Sequence, residues 1–192
     1  GGNPGNPSPA NNSNTIEFIT ISTLGNGQDF GDLLKVRADG PFGGSNSTRA
    51  FLAGGVFPSP ESQIFSMDKI EIATTGNAID FGNLSIARYY VRGTASSTRG
   101  VFAGGTVPGP SVTDTIDFVT ISSGGGAHDF GDMSINRNGL AAFGNQIRGV
   151  LAGGYTTPLN TQTSLIEFVN IATTGNVNNF GELPRFGREI MA

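Results

Sequence analysis

The sequence predicts an all-β protein made of four copies of one repeat of about fifty residues, with four short strands in each copy. A Phe-Gly pair that follows Asp or Asn marks each copy, and its phenylalanines, which we expect to be core residues, are Phe30, Phe81, Phe130 and Phe180. An Ala-Gly-Gly triplet keeps the same phase, and its glycine pairs are Gly54-Gly55, Gly104-Gly105 and Gly153-Gly154. No long window has a helical hydrophobic period. Coincident periodic markers without helical patterning favour a stacked array of β-rich units.

The strands are clearest in the third and fourth copies. Residues 138–143 are small and apolar, residues 148–151 lead into a glycine pair, and residues 115–121 are rich in β-branched and aromatic side chains. The segment around Phe130 supplies the fourth type of strand. Equivalents of the third type occupy residues 16–21, 67–72 and 166–171. Each is followed by a glycine-rich segment suited to a tight turn, so we expect antiparallel neighbours.

The repeats divide the chain into one modular domain over residues 1–192. Their approximate bounds are 1–37, 38–88, 89–137 and 138–185, and residues 186–192 would be the first strand of a further or closing unit. Gly1-Gly2 resembles the tail of an Ala-Gly-Gly strand, so the first copy lacks most of its second strand. An unpaired sheet edge invites pairing. We therefore expect a window of a longer array, or a subunit whose open ends a neighbour completes.

Composition excludes several classes of partner. Eleven basic and fifteen acidic residues give a net charge of -4, which is no electrostatic footprint for nucleic acid. No apolar run is long enough for a membrane-spanning helix. Cysteine is absent, so neither a disulfide framework nor a thiolate metal site is expected. We expect no cofactor, no nucleic acid partner and no membrane insertion.

A double glycine that closes a strand, a strand with an acidic residue among aliphatic and aromatic ones, and a phenylalanine ahead of an arginine together resemble the kelch repeat of galactose-oxidase-like β-propellers. The resemblance implies four kelch-like, four-stranded antiparallel blades, arranged as a β-propeller or as an open propeller-like array. Residues 98–105, 115–121 and 129–133 also resemble repetitive structural and tail-fibre proteins of marine tailed phages, cyanophages especially. That likeness implies an adhesive or structural protein of a virion or another extracellular assembly.

Candidate catalytic and metal sites have simpler interpretations. His128 is the only histidine, so the copper site of galactose oxidase does not carry over, and we interpret His128 as a solvent-facing turn residue.

Carboxylates recur at two positions of the repeat, and they could be calcium ligands or an acid-base pair. The first series is Glu17, Asp68, Asp117 and Glu167, and the second is Asp29, Asp80 and Asp129. Because such residues stand one repeat apart, we predict instead that they cap turns or pair with recurring arginines. The arginines after the marker phenylalanines are Arg37, Arg88, Arg137 and Arg185. We expect no catalytic residue and no metal ligand.

The segments that vary most between copies follow the glycine pairs. They are rich in Pro, Ser, Thr and Asn and occupy residues 3–13, 56–62, 106–113 and 155–163. Variable loops on a rigid scaffold are where binding is usually located, and Phe57 and Tyr155 are the exposed aromatic candidates for stacking on a sugar. The leading hypothesis is a non-enzymatic recognition module that binds surface glycan or protein through these loops. The alternative is a homo-oligomeric structural subunit that polymerises head to tail into a filament and binds no ligand.

Overall fold

The structure, a computed structural model, describes residues 13–38, 42–58, 61–109, 111–157 and 161–185. All regular elements in these ranges are β-strands, which confirms the predicted all-β class. None of these ranges contains a helix that could cross a membrane.

Every strand pair in the described residues is antiparallel. In chain order the strands are β1 (Thr15–Phe18), β2 (Gln28–Asp32), β3 (Phe42–Ser45), β4 (Arg49–Ala53), β5 (Val56–Pro58), β6 (Glu61–Gln63), β7 (Ser66–Glu71), β8 (Ile79–Asn83), β9 (Arg92–Ala95), β10 (Arg99–Ala103), β11 (Thr106–Val107), β12 (Ser111–Val112), β13 (Thr115–Thr120), β14 (His128–Asp132), β15 (Ala141–Gly144), β16 (Arg148–Ala152), β17 (Tyr155–Thr156), β18 (Thr161–Gln162), β19 (Leu165–Asn170) and β20 (Asn178–Glu182).

Four sheets follow one another along the chain, and we name them sheets 1 to 4. Sheet 1 has two strands, β1-β2, and the other three have four each: β3-β4-β7-β8, β9-β10-β13-β14 and β15-β16-β19-β20. A two-stranded ribbon is inserted between the second and third strands of each four-stranded sheet. These ribbons, named ribbons 2 to 4 after their sheets, are β5-β6, β11-β12 and β17-β18. The predicted four-stranded antiparallel unit is confirmed for three copies, whereas the ribbons lie in segments predicted to be loops.

Two strands begin or end at residues other than the predicted ones. The backbone of Asn138 pairs with Tyr155, so the strand predicted from residue 138 begins at Ala141. In the first copy the strand predicted over residues 16–21 ends at Phe18, and Ile21 beyond it is 96% exposed. The predicted strand at 186–192 and the glycine pair at residues 1 and 2 lie outside the described residues.

The hydrophobic core lies between neighbouring sheets. One cluster joins sheets 2 and 3 and includes Phe51, Met67, Phe81, Phe102 and Ile121. A second joins sheets 3 and 4 and includes Val101, Ile116, Phe130, Leu151 and Ile171. The first strands β3 and β9 contact each other, as do β9 and β15. Each repeat therefore buries its apolar residues against the next repeat, as stacked repeats do.

The marker phenylalanines were predicted to be core residues, and this is wrong for one of them. Phe30, Phe81 and Phe130 are buried, but Phe180 is 56% exposed. The backbone of a turn in the next repeat passes over each buried one, as when the Gly175 N–H donates to the Phe130 carbonyl. No further sheet follows sheet 4 in the described residues, so Phe180 is left uncovered there.

Candidate functional site

A β-bulge positions one acidic residue in every repeat. The register between the third and fourth strands shifts just before this residue in all four sheets, at Ile16/Glu17, Met67/Asp68, Ile116/Asp117 and Ile166/Glu167. A bulge re-aims the side chain that follows it. Three of the four carboxylates are thereby buried, and they belong to Asp68, Asp117 and Glu167.

Each buried carboxylate pairs with an arginine of the preceding repeat. The arginine follows the fourth strand of one sheet, and the acid lies in the third strand of the next. The N–O distances are 2.6 Å for Arg37–Asp68, 2.8 Å for Arg88–Asp117 and 2.6 Å for Arg137–Glu167, and all six side chains are at most 2% exposed. The predicted pairing with recurring arginines is confirmed for these three acids. The pair is a link between repeats.

Backbone groups add hydrogen bonds to these pairs, although the buried Nε atoms of Arg37 and Arg88 have no hydrogen-bond partner among the described residues. Arg37 Nη1 donates to the carbonyls of Gly54 and Ser66, both at 2.8 Å, and Asp68 accepts the Leu34 N–H. Burial lowers the pKa of Arg37, Arg88 and Arg137, while attraction to the acidic partner raises it. Arginine nevertheless keeps its charge in proteins. Buried charges need such partners, since an isolated one costs several kcal/mol.

The glycine pairs allow close approach between two backbone segments of one copy. Gly104 has a φ of +62°, and a Cβ there would stand 2.3 Å from the Arg137 carbonyl oxygen. The next residue, Gly105, donates its N–H to that same carbonyl at 3.1 Å. Neither contact leaves room for a side chain. The glycine pair is therefore part of the framework that holds the buried arginine.

The other series of acids and the histidine lie at the surface. Asp29, Asp80 and Asp129 are exposed. His128 is also exposed, as predicted, but it begins strand β14 instead of lying in a turn, and its ring packs 5.7 Å from that of Phe118. Among the described residues no group of three or more His, Cys, Asp or Glu side chains could hold a metal ion.

A groove of about 340 Å³ lies between sheets 1 and 2. Its lining is mainly apolar and includes Ile16, Leu33 and Leu52. Leu52 is half-buried, whereas the equivalent Phe102 and Leu151 are at most 1% exposed. Sheet 1 has only its third and fourth strands in the described residues, so the groove is the part of sheet 2 that a complete neighbour would cover.

A cleft of about 490 Å³ lies beside ribbon 4 and is the best candidate for ligand binding. We name it the polar cleft for its hydroxyl and amide side chains, although most of its lining surface is apolar. The ribbon contributes hydroxyl and amide groups, and the segment after β14 forms the opposite wall. The lining residues are Ile135, Asn136, Thr156, Thr157, Thr161, Gln162 and Thr163. No charged side chain is among them. Neutral donors and acceptors around one aliphatic residue suit a neutral polar ligand.

Tyr155, one of the two aromatic candidates, is not among the described residues that line this cleft. Tyr155 begins ribbon 4 and is half-buried, and its backbone exchanges hydrogen bonds of 2.9 and 3.0 Å with Asn138. It is not the exposed aromatic residue that was predicted. Phe57 lies in β5, and its side chain is outside the described part of the chain. The segment 155–163 was singled out from the sequence, but its threonines were not, because short hydroxyl side chains carry no distinctive motif.

Comparison with known proteins gives a likeness of fold alone. No family model matches the sequence. No curated protein matches it either. Among solved structures, the chain is similar to one titled "Structure of YjhT", with a TM-score of 0.71 and 9% sequence identity. The match covers 90% of this chain and 66% of that one.

Proposed function

We propose that the chain is a non-enzymatic structural and recognition module that binds a neutral polar ligand, such as a surface glycan, through the edge of the array that carries the ribbons. The scaffold is a kelch-like β-propeller or part of one. Its setting is a phage fibre or another extracellular assembly, as the sequence resemblance implies.

The packing of the sheets supports a propeller-like scaffold. Successive sheets bury their faces against one another, and their first strands β3, β9 and β15 contact in order. In a β-propeller, four-stranded blades surround a central channel in the same way, each packed on the next. The ribbons leave every four-stranded sheet at the same point, between its second and third strands. The segments that vary in sequence therefore recur at the same point of every four-stranded sheet.

The polar cleft beside ribbon 4 is the observation that carries the binding proposal. Thr161 and Gln162 are exposed, and both line it. The hydroxyl of Thr156 contacts that of Thr161 at 3.0 Å across the ribbon, which fixes one wall. Hydroxyl and amide groups hydrogen-bond to sugar hydroxyls without requiring charge.

The burial of the recurring acids in ion pairs with arginine favours binding over catalysis. Asp68, Asp117 and Glu167 each accept an arginine at short range and are buried. Such a carboxylate has no access to a substrate. These three acids join repeats, whereas the described residues that line the cleft beside ribbon 4 are uncharged.

A glycan array probed with the labelled chain tests the proposal. The double variant Thr161→Ala/Gln162→Ala should lower binding of any positive glycan at least about fivefold, since each lost hydrogen bond contributes about 0.5–1.5 kcal/mol. Ser111→Ala is the matched control, because Ser111 is exposed at the equivalent place in ribbon 3. A blank array, or equal binding by the double variant and the wild type, would contradict the proposal.

A further inference from the structure

One residue other than glycine has a positive φ in the described part of the chain, and it is Tyr90, with a φ of +53°. Tyr90 precedes the first strand of sheet 3, and its place in the next repeat is taken by Gly139, with a φ of +56°. The left-handed conformation brings the Cβ of an L-residue too close to the backbone, so this position favours glycine. Tyr90 therefore carries backbone strain that the equivalent glycine does not.

The backbone on both sides of Tyr90 is held by hydrogen bonds and by the core. Tyr89 exchanges two hydrogen bonds with Thr106, at 3.1 and 2.7 Å, and the Arg88 carbonyl accepts an N–H of the preceding glycine pair at 3.1 Å. On the other side, Val91 is fully buried in the cluster between sheets 2 and 3. These contacts keep Tyr90 in its strained conformation. Strained residues that their surroundings fix in this way cluster at ligand-binding and active sites.

The strained residue belongs to a pair of tyrosines. The ring centroids of Tyr89 and Tyr90 are 5.0 Å apart, and the rings are tilted by 48°. Both residues are half-buried, so part of the pair is accessible to solvent. In the first and third copies the place of Tyr89 is taken by Ala38 and Asn138, which are not aromatic. The pair is therefore a feature of one repeat and not of the framework that the repeats share.

The tyrosine pair lies at the edge of the array that carries the ribbons. Tyr89 pairs with Thr106, the first residue of ribbon 3. The side chain of Asn138 donates to the Thr106 hydroxyl at 2.6 Å, and its backbone pairs with Tyr155, the first residue of ribbon 4. These contacts connect the pair to the ribbon that forms one wall of the polar cleft.

We infer that Tyr89 and Tyr90 form a sugar-stacking subsite, which binds the C–H face of a pyranose ring in the same glycan that the polar cleft binds through hydroxyl and amide groups. The inference rests on the proposed function, since it names a second contact of that ligand. The C–H groups of a pyranose carry slight positive charge, and the face of a tyrosine ring is negative. The ligand class is an oligosaccharide, because the pair flanks ribbon 3 and the cleft flanks ribbon 4. A tyrosine that adds strain where glycine fits needs another role, and stacking uses the ring that glycine lacks.

Three substitutions of Tyr90, probed on the same glycan array as the wild type, test the inference. Tyr90→Gly and Tyr90→Ala remove the ring, and each should lower binding about fivefold or more, since one face of the ring no longer covers the sugar. Tyr90→Phe keeps the ring and should bind within about twofold of the wild type. Equal binding by Tyr90→Gly and the wild type would overturn the inference.

Urea unfolding of the same variants separates stacking from a structural role. Glycine accepts a positive φ without strain, so Tyr90→Gly should unfold at a higher urea concentration than Tyr90→Ala. Both variants should nevertheless bind glycan equally weakly, because both lack the ring. Binding that instead follows stability, and is stronger in Tyr90→Gly than in Tyr90→Ala, would overturn the inference.

The variant Thr161→Ala/Gln162→Ala on the same array distinguishes failure of the inference from failure of the proposed function. If that variant loses binding while Tyr90→Gly binds like the wild type, the cleft binds glycan and the tyrosine pair does not. If no glycan binds the wild type, both proposals are overturned.

Intrinsic fluorescence provides a direct readout of the pair. The chain has three tyrosines and no tryptophan, so its emission comes mainly from Tyr89 and Tyr90. The glycan with the strongest array signal should change the emission of the wild type, and it should change that of Tyr89→Ala/Tyr90→Gly less than half as much. Ala38 and Gly139 occupy the equivalent positions, so the fold accepts both substitutions. An equal change in the two proteins would overturn the inference.

Discussion

Arg88 of one repeat and Asp117 of the next form an ion pair with 2.8 Å between Nη2 and Oδ2, and both side chains are fully buried. Asp117 also accepts the hydroxyl and the backbone N–H of Ser85, so the arginine and the segment before it are held together. The same arrangement recurs at the junctions before and after it. Charged residues in this protein therefore define how repeats stack.

Removing one member of such a pair should be costly. Asp68→Asn leaves the buried guanidinium of Arg37 without its counter-charge, and we expect the free energy of unfolding to fall by about 3 kcal/mol or more. Urea denaturation followed by circular dichroism measures this. Asp80→Asn is the control, because Asn179 occupies the equivalent position in the fourth copy, and it should change stability by less than about 0.5 kcal/mol. Equal effects of the two substitutions would contradict the account.

The close approach at the glycine pair can be separated from its backbone conformation. Gly104→Ala and Gly109→Ala both place a side chain at positive φ, +62° and +87°, which costs about 1–2 kcal/mol. Only Gly104 faces a carbonyl at 2.3 Å, whereas nothing lies within 4 Å of a Cβ at Gly109. In parallel urea titrations Gly104→Ala should lose clearly more stability. Equal losses would show that the backbones at Gly104 and Arg137 do not approach closely.

The marker phenylalanines Phe130 and Phe180 should contribute differently to the free energy of unfolding, although their local sequences match. Phe130 is 2% exposed and Phe180 is 56% exposed. Phe130→Ala should destabilise by about 3–5 kcal/mol, and Phe180→Ala by less than about 1 kcal/mol when measured at a concentration where the chain is monomeric. Thermal or urea unfolding gives both values. A large loss for Phe180→Ala under those conditions would mean that another segment covers it.

The sequence was a good guide wherever a feature repeats. The fifty-residue period, the strand positions around Phe130 and the pairing of Asp68, Asp117 and Glu167 with arginines followed from the aligned copies. It could not tell that each pair joins two repeats, because every one of these acids has a candidate arginine in its own copy as well as in the preceding one, as Asp68 has Arg88 and Arg37. It also could not tell that Phe180 is exposed, since its local sequence matches that of Phe130 and only the neighbouring sheet differs.

The ribbons and the polar cleft could not be predicted from the sequence, for a different reason. Strands as short as Thr161–Gln162 have no alternation to detect, and their ribbon is inserted between the second and third strands of one sheet, a placement that the local sequence does not reveal. The cleft joins Ile135 and Asn136 of one repeat to threonines of the next. Such a site depends on the packing of repeats.

The measurement that tests the central claim most directly is a double-mutant cycle on Arg88 and Asp117, with Arg88→Met, Asp117→Leu and the combined variant unfolded in urea. If the pair couples the two repeats, each single variant loses about 3–5 kcal/mol, and the double variant loses at least about 2 kcal/mol less than the sum. If instead the two losses add to within about 0.5 kcal/mol, the residues act independently and the junction is held by something else.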